Sequence, residues 1–127
     1  MDYEKLIFEL LDTEPAVFGG AVINPKKELV FQTENWDLQQ EIDEIIDAIE
    51  EAQKTDGKNP GRIQIMKITY MIVEFTPERI IATNVSRKGH IIIAMHEGWA
   101  LVAFIDPNKG PRDALFNVQS FVRRLCE

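Results

Sequence analysis

A single cysteine, Cys126, excludes an internal disulfide, so the fold must rest on its core rather than on covalent staples. Its position beside the last residue makes a surface thiol the expectation rather than a nucleophile. No apolar stretch approaches the roughly 20 residues of a membrane-crossing helix. The start, Met1-Asp2-Tyr3-Glu4, is acidic where a signal peptide would be basic, so a cytoplasmic protein with no membrane span is expected. The chain also lacks CxxC, HExxH, GxSxG, Walker and GxGxxG patterns, and its seven glycines fall mostly in turns. No enzyme, metal or cofactor is expected. The two histidines, His90 and His96, point to one face of the same strand but lie too far apart to share a metal without other ligands. They are expected to be strand-end residues.

Positive charge is scarce in the first half. Residues 1–56 hold fifteen acids against four bases, and residues 57–127 hold six acids against ten bases, so a net −11 is followed by a net +4. Eight of the acids lie between Glu34 and Glu51, where they suit the solvated side of a helix. The basic excess is too small and too dispersed for nucleic acid, but it offers a mildly basic surface to an acidic protein partner.

What is present is dense in β-branched and aromatic residues. Ile63–Met66, Ile68–Phe75, Arg79–Val85, His90–His96 and Trp99–Asp106 read as strands joined by turns too short for a parallel crossover. The result is an antiparallel meander. Runs such as Ile91-Ile92-Ile93-Ala94-Met95 are apolar at successive positions, so both faces of the sheet need cover. Upstream, Tyr3, Leu6, Ile7, Leu10 and Leu11 recur at helical spacing behind a possible Asp2 cap. Val17–Ile23 and Leu29–Thr33 read as a hairpin, with Gly19-Gly20 marking a bulge or a close approach of the first helix. Asp37 and Gln40 have capping-box spacing before Leu38, Ile42, Ile45, Ile46, Ile49 and Ala52. After the meander, Pro111 suits the first position of a helix whose stripe is Ala114, Leu115, Val118, Phe121, Val122 and Leu125. At about 100° per residue Phe116 falls opposite that stripe and should be exposed. The carboxylates of Asp43, Glu44 and Asp47 are expected to be solvated helix residues rather than an acid/base pair.

The order helix, hairpin, helix, meander, helix resembles the profilins over most of the chain. Ile68-Thr69-Tyr70-Met71-Ile72-Val73 is similar to that family's central strand, Ala100-Leu101-Val102 to Asp106 to its last strand, and Pro111 to Leu125 to its last helix. Leu29-Val30-Phe31-Gln32 resembles the hairpin, with Phe31 where a Trp is usual; the low overall similarity and short turns look most like archaeal profilins. The resemblance implies one α+β domain over residues 1–127. Its central antiparallel sheet would have about six to seven strands, with N-terminal, middle and C-terminal helices covering the faces. It further implies a monomeric, non-catalytic protein that binds the actin monomer and regulates polymerisation. The implied actin surface is Thr69, Met71, Glu74, Asn84, Arg87, Lys88, His90, Lys109, Arg112, Asp113 and Phe116, departing from the family pattern at Glu74 and Asp113. The family's polyproline groove maps to Tyr3, Leu6, Phe31 and Phe121, with Trp36 as a nearby substitute for the missing tryptophans. Proline-rich peptides and phosphoinositides are therefore expected to bind weakly at most. A roadblock/LC7-type homodimer that scaffolds small GTPases has a related element order; four or five strands after the second helix, rather than three, favour the profilin reading.

Overall fold

The computed structural model describes residues 2–127, with Met1 outside the described residues. Asp2 caps the first helix, α1 (Tyr3–Thr13), by accepting the Lys5 N–H at 3.0 Å, and the buried stripe is Leu6, Ile7 and Leu10. The hairpin follows as β1 (Val17–Ile23) and β2 (Leu29–Gln32), turned by Asn24, whose side-chain oxygen accepts the N–H groups of Lys26 and Glu28. A 3₁₀ turn at Gln39–Glu41 leads into α2 (Ile42–Ala52). Then come β3 (Arg62–Ile65), β4 (Ile68–Phe75), β5 (Arg79–Thr83), β6 (His90–His96), β7 (Trp99–Ile105) and α3 (Pro111–Arg124).

All seven strands form one antiparallel sheet in the order β2-β1-β7-β6-β5-β4-β3. The meander thus runs unbroken from β3 to β7, and the early hairpin closes onto β7 rather than standing apart. Alternation along the strands divides the apolar residues between two cores. Ile91 and Ile93 of β6 face α2, together with Ile45, Ile49, Ile63, Tyr70, Ile80 and Val102. Ile92 and Ala94 face the terminal helices, together with Leu6, Ile7, Leu10, Leu101, Val118 and Phe121. The consecutive apolar positions are explained by this double cover. Each fully buried Ile or Leu contributes about 1.5–3 kcal/mol of transfer free energy.

Both readings of Gly19-Gly20 hold. The β1–β7 register shifts between Val17 and Gly19, and a Cβ on Gly20 would stand 3.2 Å from Ile7 Cγ2 on α1. Three local expectations are corrected. The Asp37–Gln40 capping box does not form: Asp37 accepts the Gln39 N–H at 2.9 Å and the Gln32 side-chain amide, while Gln32 Oε1 accepts the Leu38 N–H. These bonds to β2 hold the segment in a 3₁₀ entry, and α2 starts at Ile42. There the capping position is Glu41, whose carboxylate instead accepts the N–H groups of Met66 and Lys67, both 3.0 Å away, at the β3–β4 hairpin tip. That tip takes Met66 out of β3, because Met66 and Lys67 both adopt positive φ. Finally, β5 ends at Thr83, and Val85 is 81% exposed in the following loop.

Candidate functional site

The helix α3 rests on β6 and β7, and the core beneath it extends to Ile81 of β5, which is fully buried; beyond that, β4 is left open on the same side of the sheet, with Met71 exposed. Pairing of Met71 with Thr83, Glu74 with Ile81 and Thr83 with His90 places Thr69, Met71, Glu74, Thr83 and His90 on that side. The open strip meets the flank of α3 at a charge cluster. Arg79 Nε donates to Glu74 Oε2, and Arg112 Nη2, reaching from the first turns of α3, donates to Glu74 Oε1. Held first by Arg112 and then by Arg79, the Glu74 carboxyl lies below its ordinary pKa. One turn along α3 from Arg112, Phe116 stands 79% exposed, as its helical phase requires. Lys109, Asp113, Arg87 and Lys88 are exposed, Met71 is exposed, and Thr69 and His90 are half-buried, with His90 Nδ1 3.0 Å from Thr83 Oγ1.

Asn84 is the exception among the expected contact residues. It is buried, its amide donates to the Thr69 carbonyl at 2.8 Å, and its side-chain oxygen accepts the N–H groups of Ser86 and Lys88. Its side chain shapes the loop that carries Arg87 and Lys88. Two residues of this region had been missed. Arg79 could have been found from its opposite charge to Glu74 across a short hairpin. Val73 sits at the register shift between Ile72 and Glu74 and is 64% exposed, which no local sequence pattern signals.

The expected aromatic groove between α1 and α3 is not assembled. Leu6 and Phe121 are buried, the Arg124 guanidinium lies 4.8 Å from the Phe121 ring centre, and Arg124 bridges to Glu9 of α1 at 2.8 Å. The hollow there, about 320 Å³, is lined by Asp2, Lys5, Leu6, Glu9, Arg124 and Glu127. Tyr3 turns to Trp99, with ring centres 6.0 Å apart. Phe31 lies toward the other flank of α1, beside Phe8, Leu11 and Phe18. Trp36 is corrected outright: it is buried on the opposite face of the sheet, stacked on Phe104 at 5.8 Å.

A seven-stranded antiparallel sheet with both terminal helices on one face, a short helix on the other and an uncovered strip beside the last helix defines the class of small profilin-fold binding proteins. The chain belongs to the profilin family. It is 36% identical over 127 residues to Loki profilin-1 of Lokiarchaeum sp. (strain GC14_75), covering 98% of this chain and 95% of that one. With Loki profilin-2 of the same organism the identity is 38% over 125 residues, covering 96% and 93%. Among solved structures, a chain of the LokiProfilin2/rabbit actin complex matches with a TM-score of 0.90 and 38% identity over 98% of this chain and 97% of that one. No family model matches the sequence. Among the described residues, no helix is long and apolar enough to cross a membrane.

Proposed function

We propose that this protein binds monomeric actin and regulates its polymerisation, acting in the cytoplasm as a monomer with no catalytic step of its own. The observation that carries the proposal is the near full-length match to the profilin of the LokiProfilin2/rabbit actin complex. The proposed contact surface is the strip beside α3: Thr69, Met71, Glu74, Arg87, Lys88, His90, Lys109, Arg112, Asp113 and Phe116. Phe116 is its anchor, because an exposed aromatic flanked by Arg112 has the composition of interface hot spots. Glu74 is proposed to act from within, orienting Arg79 and Arg112 toward the partner. A roadblock-type dimer gains no support, since five strands follow α2.

Pyrene-labelled or light-scattering assembly assays with increasing amounts of the protein test the proposal. The expected result is slower spontaneous assembly of a cognate actin, with a lower polymer plateau. Unchanged assembly at a several-fold molar excess over actin would overturn it.

A further inference from the structure

The end of α3 brings together three metal-binding side chains that stand far apart in the sequence. His96 closes β6, Glu97 follows in the two-residue turn to β7, and Cys126 lies just beyond the last residue of α3. The expected surface thiol is half-buried. The Cys126 N–H donates to the Arg123 carbonyl at 3.2 Å, and its thiol reaches the His96 carbonyl at 3.5 Å. One ligand atom from each side chain, an imidazole nitrogen, a carboxylate oxygen and the thiol sulfur, lies within 4.8 Å of the other two.

We propose that His96, Glu97 and Cys126 bind one zinc ion, with a fourth position open to water. Tetrahedral zinc holds sulfur at about 2.3 Å and nitrogen or oxygen at about 2.0–2.2 Å, which puts neighbouring ligands roughly 3.3–3.7 Å apart. Closing to that spacing takes shifts of about an ångström, within reach of the exposed Glu97 side chain. A thiolate, an imidazole and a carboxylate together suit a borderline divalent transition ion rather than magnesium or calcium, which take all-oxygen sets. On binding, the Cys126 thiol releases its proton to solvent and the thiolate donates an electron pair to the ion; no redox change occurs. The C-terminal end of α3 is the negative end of the helix dipole and favours a cation. The neighbouring Glu127 adds negative charge; Arg123, which borders His96 on its other side, opposes it. Such an ion would join the β6–β7 turn to the end of α3, at the opposite end of β6 from His90 and the proposed actin strip.

The test uses the full chain, reduced and stripped of metal. Cobalt(II) serves as the optical probe and zinc as the competitor. One equivalent of cobalt should give a thiolate-to-cobalt charge-transfer band that zinc removes, and zinc should raise the thermal unfolding midpoint. Cys126→Ser should abolish the band, and His96→Gln should weaken binding by at least about tenfold. His90→Gln should leave both signals unchanged, reporting that a histidine as such is not enough. Absence of the charge-transfer band, uptake that does not saturate at one equivalent, or a zinc-induced midpoint shift that survives in Cys126→Ser or His96→Gln would overturn the assignment.

Discussion

Phe116 and Phe121 stand five residues apart on α3, yet the sheet beneath treats them oppositely. Phe121 is turned onto β6 and β7, is only 6% exposed and has the Arg124 guanidinium laid against it. Phe116 stays 79% exposed. The same contrast separates the two regions to which the profilin resemblance assigns ligands. Beside β4 and β5, α3 leaves apolar groups in water and charges paired around Glu74. Between α1 and α3, the apolar groups have sunk into the core and charged chains close the hollow. An aromatic side chain is available to a partner only where the protein's own elements have not already claimed it.

The comparison breaks most sharply under one substitution made twice. Phe121→Ala is expected to destabilise the fold by about 3–5 kcal/mol through lost burial and a residual cavity. Thermal or denaturant unfolding measures it, and a loss below about 1 kcal/mol would mean that Phe121 is not core. Phe116→Ala should change unfolding by no more than about 0.5 kcal/mol, yet weaken actin binding by on the order of 2 kcal/mol, more than tenfold. Titration calorimetry of wild type and variant against actin decides; unchanged affinity would remove this flank of α3 from the site.

A smaller effect concerns Glu74. Because its folded pKa is lowered, its contribution to stability is fully present above the ordinary glutamate pKa and is lost as pH falls through the depressed folded value. Wild type should therefore lose more stability on acidification than Glu74→Gln, by no more than about 1 kcal/mol, as befits ion pairs that stay in contact with solvent. Unfolding midpoints followed from about pH 7 down to about pH 3 provide the check, and parallel curves would mean the bridge is inert. Least of all is expected of polyproline: with Leu6 and Phe121 buried and Trp36 on the far face, an immobilised polyproline column should retain the protein weakly or not at all. Firm retention would show that the terminal helices separate to expose a rail.

The strands, their antiparallel order, the cover on both faces of the meander and the outward phase of Phe116 were all legible, because each rests on local pattern: β-rich runs, turns too short for a crossover, apolar residues at successive positions, and the 3.6-residue period of α3. What was not legible depended on residues outside any local window. Asp37 has the spacing of a capping box, but Gln32, from the preceding strand, supplies competing hydrogen bonds. Trp36 is near Phe31 in sequence, yet the turn after β2 carries it to the other face. Asn84 looks like a surface amide until Thr69, on a neighbouring segment, offers it a carbonyl. The approach of Cys126 to His96 needs the whole of α3 to be docked before it exists.

The bond from Glu41 to the hairpin tip has a consequence for exchange with solvent. Met66 and Lys67 are exposed, and amides at such a tip ordinarily trade their protons with water almost as fast as an unfolded chain does. Here both donate to one carboxylate about twenty-five residues away in sequence, at the entrance of α2. Their deuterium uptake is therefore expected to slow for as long as the Glu41 carboxylate stays seated on the tip. Slow uptake at these two sites, among fast neighbours, would serve as a residue-level clock for how long the contact between the entrance of α2 and the hairpin tip persists.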